Sequence, residues 1–100
     1  MKFYIAGKIT GNPDYKNNFK KAEEALARLG HSVLSPAWIN AYPEFSYQDY
    51  IFISTAMQVK CDAVLFLPDW VDSNGAQEEY QRAKISRQAI YFDISDVPPA

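Results

Sequence analysis

An uninterrupted apolar run from Ala63 to Leu67 constrains the fold of this chain more than any other stretch. A strand that is apolar at every position, rather than at alternate ones, is typical of the centre of a parallel sheet covered on both faces. Asp62 precedes the run and Pro68 follows it, which bounds the strand at both ends. The run therefore predicts an α/β fold built around one buried central strand.

Three other segments are predicted to complete the sheet: Lys2 to Ala6, His31 to Leu34 and Ala89 to Phe92. Helical patterns separate the four strands, and strands joined through a helix run parallel with a right-handed crossover. The economical arrangement is a three-layer α/β sandwich with a small parallel Rossmann-like sheet in the order 2-1-3-4. Because no repeat, linker or low-complexity segment divides the chain, residues 1–100 are expected to form a single domain.

The first helix is predicted from a complete amphipathic stripe. It should begin at Asn12-Pro13, where a capping residue precedes a proline, and end at Gly30. The apolar residues that recur on one face over this span are Tyr15, Phe19, Ala22, Leu26 and Leu29.

Two further helices are predicted, from Tyr47 to Lys60 and from Gly75 to Arg87. Ser46 and Asp49 form an imperfect capping box for the earlier of the two. Its buried stripe is predicted to comprise Tyr50, Ile53, Ala56 or Met57, and Lys60. The tail from Asp93 onwards is predicted to fray.

Composition and charge exclude several classes of protein. Of the 100 residues, 48% are hydrophobic and 15% aromatic, enough for a core that needs no metal or disulfide. The net charge is -2 and the ten Lys and Arg residues are dispersed, so neither polymeric nucleic acid nor a membrane is an expected partner. No apolar run approaches the ~20 residues of a membrane span, and the apolar N-terminal segment is too short for a signal peptide, which favours a cytoplasmic protein.

The chain contains one cysteine, Cys61, and one histidine, His31. One residue of each type excludes an internal disulfide, a Cys or His metal cluster and a Ser-His-Asp triad. No metal or cofactor is therefore expected, and any acid-base chemistry must fall to carboxylates, tyrosines or lysines.

The candidate site is the stretch from Pro68 to Lys84, where the central strand gives way to a polar turn and then to a helix. Open α/β sheets bind ligands at the carboxyl ends of their strands, where a helix N-terminus can bind an anion. The loops Gly7 to Asn12 and Ser35 to Phe45 also follow strands, so all three regions should gather at one edge. Ser73 is predicted to cap the helix, and Gly75 to let a ligand approach the backbone closely.

Glu79 is the candidate catalytic residue. It follows Ala76 by three residues and precedes Ala83 by four, so it lies on the edge of the stripe that faces the sheet. Glu78 points elsewhere, and its spacing from Arg82 predicts a solvated surface pair.

Several other side chains are candidates for ligand contacts at this edge. Lys8, Thr10 and Ser73 could each serve a phosphate, although the glycine loop lacks the spacing of a Walker A loop or a dinucleotide fingerprint. Trp38 and Trp70 lie in loops beside the site, where they could stack on a base or pack against the core.

Three segments together resemble the nucleoside 2-deoxyribosyltransferase superfamily: YIAGKITG, CDAVLFLP and SNGAQEEYQRA. The likeness is greatest to its small bacterial and phage members and to its deoxynucleoside monophosphate N-glycosidase branch. The family's active-site signature matches Ser73, Gly75 and Glu79, which implies that Glu79 is the nucleophile. The resemblance also implies that Ser73 and the loop residues Gly7, Thr10 and Gly11 hold a 5'-phosphate, that Tyr4 and Ile9 line the base pocket, and that the protein is a homodimer.

One feature of that family is replaced in this chain. The aspartate that assists at the base or sugar usually precedes the acid before the third strand by eight residues, and Ser54 stands at that position. Any activity is therefore expected to be slow.

Three interpretations follow. The first is an N-glycosidase or deoxyribosyltransferase that acts on a (deoxy)nucleoside 5'-monophosphate through a covalent glutamyl-sugar intermediate. The second is a non-catalytic protein that binds a nucleotide or nucleotide-derived signal in the same pocket. The third is a structural or interaction protein in which Glu79 is only a helix N-terminal acid favoured by the helix dipole.

Overall fold

The computed structural model describes residues 1–38 and 42–100. Over this range the chain forms an all-parallel sheet of four strands, in the order β2-β1-β3-β4. The strands are β1 (Lys2–Ala6), β2 (Ser32–Leu34), β3 (Ala63–Phe66) and β4 (Ala89–Tyr91). The α/β class, the parallel sheet and its strand order are confirmed.

Strands β1 and β3 form the buried centre of the sheet. Phe3 pairs with Ala63 and Ala6 pairs with Phe66, while the other edge of β1 pairs with β2. Every residue of β3 and all of β1 after Lys2 are buried, as strands covered on both faces require.

Three helices cover the two faces of the sheet: α1 (Tyr15–Arg28) on one face, and α2 (Tyr47–Val59) and α3 (Asn74–Ile85) on the other. Because side chains alternate along a strand, neighbouring strand residues belong to different cores. The core under α1 is built from Phe3, Ile5, Leu65, Phe19, Ala22 and Leu26. The core under α3 is built from Tyr4, Ala6, Val64, Phe66, Ala76 and Ala83.

Helix α1 begins at Tyr15 rather than at the predicted Asn12-Pro13 pair, and Asp14 precedes it without a side-chain cap bond. Asn12 lies outside the helix: its Oδ1 accepts from the Asp14 amide at 3.0 Å, and its Nδ2 donates to Asp69 Oδ2 at 3.0 Å in the turn after β3. At the other end Gly30 has a φ of +90°, a conformation that favours glycine and ends the helix as predicted.

The caps of α2 and α3 agree with the sequence pattern. Ser46 Oγ accepts a hydrogen bond from the Asp49 amide at 3.1 Å, and Asp49 Oδ2 accepts from the Ser46 amide at 2.8 Å, which completes the capping box. Ser73 Oγ accepts from the Ala76 amide at 3.1 Å. Ser73 is therefore the N-cap of α3, as the sequence predicts.

The buried side of α2 differs from the predicted stripe. Its buried residues are Ser54 and Gln58, whereas Ala56 and Lys60, two members of that stripe, are exposed. Apolar residues surround this helix, so their spacing does not select one side. Polar partners on β1 and α3 select it instead.

The C-terminal tail is ordered, so the predicted fraying is wrong. Ile94–Asp96 forms a 3-10 turn. His31 Nε2 lies 2.7 Å from the Pro98 carbonyl oxygen, and the Ala100 amide donates to the Leu29 carbonyl at 2.8 Å. These bonds tie the tail to the end of α1. None of the helices in the described ranges is long and apolar enough to cross a membrane.

Candidate active site

A cavity of about 400 Å³ opens at the carboxyl edge of the sheet. It is lined by Gly7, Ile9, Thr10, Tyr47, Tyr50, Asp72, Ser73, Asn74 and Gly75. The loop after β1 and the turn that leads into α3 therefore converge, as the sequence predicts, and the start of α2 joins them, which the sequence did not predict. Part of the third predicted loop, residues 39–41 of the segment from Ser35 to Phe45, lies outside the described residues.

A larger cavity of about 500 Å³ lies on the opposite face, beside α1. Its walls include Ala22, Leu65 and Phe92, and it does not reach the residues at the start of α3. The smaller cavity is therefore the candidate active site, because it adjoins titratable groups and a helix N-terminus.

The N-terminus of α3 forms one wall of the candidate site. Ser73 caps it, and Asn74 and Gly75 are its first residues. The first amides of a helix have no carbonyl partner within the helix, and the helix dipole gives this end a partial positive charge. This wall suits an anionic group such as a phosphate.

Two glycines line the cavity for different reasons. A Cβ atom at Gly7 would lie 2.9 Å from Leu67 Cδ1, so packing between the two loops requires glycine there. A Cβ atom at Gly75 would meet no closer atom than its own cap, Ser73 Oγ, at 3.9 Å. Packing within the protein therefore leaves room at Gly75, and a side chain there would enter space that a ligand could use.

The glycine loop is fastened to the turn after β3 by Asp69. Its Oδ1 accepts from the Lys8 amide at 3.0 Å, and its Oδ2 accepts from Asn12 Nδ2 at 3.0 Å. This contact was not predicted from the sequence. No periodic or motif signal links positions that are so far apart in the chain.

Glu79 is the buried carboxylate of the site, with only 6% of its surface exposed. Tyr4 on β1 donates its hydroxyl hydrogen to Glu79 Oε2. Burial raises the pKa of Glu79 from 4.5 to about 7, while the bond from Tyr4 and the charge of Arg82 act in the opposite direction. The predicted position of Glu79 on the side facing the sheet is thus correct, but it lies deeper than the residues that line the cavity.

Two residues of α2 complete the surroundings of this pair. Tyr50 lines the cavity, and burial together with the charge of Glu79 raises the pKa of its phenol, which keeps it protonated at neutral pH. Ser54 is 3% exposed; its hydroxyl donates to the Ile51 carbonyl at 3.3 Å and also faces the Tyr4 phenol.

The other predicted site residues lie near the cavity or away from it. Lys8 and Gly11 belong to the glycine loop but do not line the cavity. Trp38 is 53% exposed and lines a separate groove beside α1, so the structure does not bring it to the cavity. Trp70 packs against Phe66, Tyr80 and Phe92 with ring centroids 4.9 to 5.6 Å apart, which is core packing rather than a surface for a base.

Arg82 does not serve as the surface partner that its spacing from Glu78 predicts. Its Nη1 donates to Gln58 Oε1 at 2.7 Å, between α3 and α2. Within the described ranges, no group of three or more His, Cys, Asp or Glu side chains is placed to bind a metal ion.

Comparisons with known proteins agree with this architecture. The model of a family described as a domain of unknown function, DUF4406, matches residues 1–92, and the chain belongs to that family. No curated protein matches its sequence. A solved structure with a similar fold is that of a 2-deoxyribosyltransferase from the psychrotolerant bacterium Bacillus psychrosaccharolyticus. It has a TM-score of 0.69 and 23% sequence identity, over 90% of this chain and 69% of that one. The chain therefore has the Rossmann-like fold of a deoxyribosyltransferase.

Proposed function

We propose that this protein is an N-glycosidase or deoxyribosyltransferase that acts on a (deoxy)nucleoside 5'-monophosphate. The observation that carries the proposal is the buried Tyr4–Glu79 pair beside a cavity whose wall is the N-terminus of α3. A carboxylate held out of water is a reactive nucleophile, and the helix N-terminus supplies a site for the phosphate. The deoxyribosyltransferase fold of the solved structure supports the same class of reaction.

In the first step, one carboxylate oxygen of Glu79 attacks the anomeric carbon of the sugar. The bond between that carbon and the base nitrogen breaks, its electron pair leaves with the base, and an ester forms between Glu79 and the sugar. Tyr4 holds Oε2 by its hydrogen bond and so leaves Oε1 for the attack. Proton uptake by the base from solvent completes its release.

In the second step, water or another base attacks the same carbon and displaces Glu79. With water, the sugar phosphate is released, a proton returns to solvent and the carboxylate is restored. With a second base, that base gives its N–H proton to solvent, the carboxylate is restored and the product is a new nucleotide. Ser54, which faces Tyr4, stands where the resemblance places an aspartate that assists at the base or sugar. Because serine cannot supply that carboxylate, we expect slow turnover.

The proposed phosphate specificity rests on the cavity wall formed by the start of α3 and the glycine loop. Ser73, Asn74 and Gly75 present the start of α3, and Gly7 and Thr10 present the glycine loop beside it. A 5'-phosphate at the helix N-terminus would place the sugar towards Glu79, one turn into the same helix. The proposal therefore favours nucleoside 5'-monophosphates over nucleosides.

The test is incubation with a panel of ribo- and deoxyribonucleoside 5'-monophosphates and the matching nucleosides, with free base measured by chromatography. The parent protein should release base from at least one monophosphate faster than from its nucleoside. Glu78→Gln, next to the candidate nucleophile on an exposed position, is the matched control and should keep this activity. No base release from any member of the panel, by a protein that is folded, would contradict the proposal.

A second candidate function is nucleotide binding without turnover. Two observations favour it: Glu79 has a pKa of about 7, so part of the carboxyl group is neutral near pH 7, and it is almost wholly enclosed. Thermal shift and the base-release assay together separate the two functions. A ligand at about 100 times its dissociation constant stabilises the protein by about 2.7 kcal/mol whether or not it reacts, so thermal shift detects binding alone. Stabilisation by a monophosphate with no released base would establish this second function.

We also propose that the protein is a cytoplasmic homodimer. The outer side of α2 carries Phe52 and Val59, 78% and 55% exposed, with Phe45 at 44% just before the helix. A second copy of the chain would cover this apolar side by symmetric contact next to the cavity. Light scattering should give a dimer mass for the parent and a monomer mass for Phe52→Glu. A parent that stays monomeric at high concentration would contradict the proposal.

A further inference from the structure

A buried glutamine joins α2 to the backbone beneath Glu79. Gln58 has no exposed surface, and its Nε2 donates to the Glu79 carbonyl oxygen at 2.8 Å. That carbonyl belongs to the interior of α3, so this bond is additional to the one that a helical carbonyl ordinarily accepts. The contact fixes α3 against α2 at the residue that carries the candidate nucleophile.

The other end of the Gln58 amide holds Arg82. Arg82 Nη1 donates to Gln58 Oε1 at 2.7 Å. Arg82 lies three residues after Glu79 on α3, so the two side chains are neighbours on one side of the helix. The contact with Gln58 directs the guanidinium towards α2 rather than outward to solvent.

The orientation of the Gln58 amide follows from the chemistry of its partners. A guanidinium can only donate and a backbone carbonyl can only accept, so Oε1 must face Arg82 and Nε2 must face Glu79. Gln88 secures the same side chain, because its Oε1 lies 3.2 Å from Gln58 Nε2, and its own Nε2 donates to the Gln58 and Cys61 carbonyls at 2.8 and 2.9 Å. Every buried side-chain polar atom in the described part of the chain has a partner.

We propose that Gln58 and Arg82 are positioning residues, which hold a positive charge beside Glu79 and thereby set the fraction of Glu79 that is ionised near neutral pH. The contribution to turnover rests on the function proposed above, but the effect on ionisation does not. Both residues act through Glu79 and neither needs to touch a substrate.

Four titratable or charged groups face Glu79. Tyr4 from β1 lowers its pKa through the hydrogen bond, Arg82 from α3 lowers it through its positive charge, and Glu78 from α3 raises it. Tyr50 from α2 stays neutral at ordinary pH because its own pKa is raised. Arg82 is therefore the one cationic group among these four, and its removal should raise the pKa of Glu79.

The ionisation of Glu79 can be measured directly, by following the side-chain carboxyl carbons of glutamate by NMR as the pH is varied, with Glu79→Gln used to assign the signal. Arg82→Met should raise the midpoint of Glu79 by roughly 0.5 to 1 pH unit, which lowers the ionised fraction about three- to tenfold on the acid side of the midpoint. Arg82→Gln removes the charge while keeping an amide that can donate to Gln58, and should raise the midpoint similarly. Arg82→Lys keeps the charge and should restore most of the parent midpoint.

Lys84→Met is the matched control, because it removes the same charge from an exposed position on the same helix. It should leave the midpoint of Glu79 unchanged. Equal midpoints of Glu79 in the parent, Arg82→Met and Arg82→Gln would overturn the proposal. An equal shift of that midpoint in Arg82→Met and Lys84→Met would also overturn it, because it would indicate only a change of net charge.

Gln58→Met tests whether the glutamine acts through the arginine. Alone it should move the midpoint of Glu79 upward by less than Arg82→Met, and the double variant should move it no further than Arg82→Met. Additive displacements would mean that Gln58 has a merely structural role. If base release is detected, the acid limb of its pH profile should move with the NMR midpoint. If no protein releases base, the titration still decides this inference while the proposed reaction fails separately.

Discussion

The two faces of the sheet are built on different principles. Beneath α1, Phe3, Ile5 and Leu65 pack against Phe19 and Leu26 in an apolar core. Beneath α2 and α3 the core also contains Ser54, Gln58 and Glu79, all buried and all hydrogen-bonded. Since an ionised carboxylate loses much of its hydration when buried, the second face sacrifices stability that the first one keeps. The buried polar groups of the second face are the reason for placing the proposed function there.

The largest expected effect is the loss of base release in Glu79→Gln. Removing the nucleophile should lower the rate at least about 10³-fold, equivalent to about 4 kcal/mol of transition-state stabilisation. Nucleotide binding, measured by thermal shift, should persist, because the amide side chain would occupy nearly the same volume and could still accept from Tyr4. A variant that released base as fast as the parent would exclude the covalent mechanism.

The next effect concerns the apolar face. Leu26→Ala removes a wholly buried side chain of α1 and should lower the free energy of unfolding by about 2 to 5 kcal/mol. Urea unfolding measures this change. Binding to the cavity should be retained at temperatures where the variant is folded, so weakened binding by fully folded protein would show that the two faces are coupled.

A smaller effect should appear in the pH dependence of stability. The folded state raises the pKa of Glu79 from 4.5 to about 7, so it binds the proton more tightly than the unfolded chain. The corresponding stabilisation is complete below about pH 4.5 and is lost as the pH rises through about 7. Glu79→Gln should thus unfold at higher urea than the parent at pH 8, by up to about 3 kcal/mol, and differ less at pH 5.

Glu24→Gln is the control for that measurement, since Glu24 is an exposed glutamate on α1, on the other face of the sheet. Its unfolding should follow the parent at both pH values. Identical pH dependence in the parent and Glu79→Gln would show that burial of this carboxylate does not weaken the second face.

The smallest expected effect is at Gly75. Alanine should stabilise α3 by about 0.5 to 1 kcal/mol, because glycine is a poor helix former and no atom of the protein obstructs the new methyl group. The same methyl group would enter the cavity and should weaken nucleotide binding. Opposite signs in thermal stability and in ligand affinity would confirm that Gly75 serves the ligand, whereas unchanged affinity would remove it from the site.

The sequence was sufficient for features that depend on local pattern. The apolar run in β3, the stripe of α1 and the cap at Ser73 predicted the sheet and placed Glu79 on the side facing it. The helix α2 could not be oriented in this way, because its buried residues are Ser54 and Gln58, whose partners lie on β1, on α3 and at Gln88 just before β4.

Contacts between distant parts of the chain were also beyond prediction from sequence. The bonds from Asp69 to the glycine loop and from Gln58 to Arg82 join residues without any repeating spacing. Trp38 illustrates the converse error, since an aromatic residue in a loop after a strand can turn towards either face. The tail after β4 was predicted to fray because terminal segments commonly do, whereas its backbone is bonded to the end of α1.

The central place of β1 has a consequence for biosynthesis. This strand is made before its partner β3, which begins at Ala63, so one edge of β1 stays open until β3 has been translated. At about 5 to 20 residues per second, the delay is roughly 3 to 12 s. Throughout that interval the unpaired edge of this apolar strand can pair with other nascent chains. Slower translation of the segment up to β3 should therefore increase aggregation.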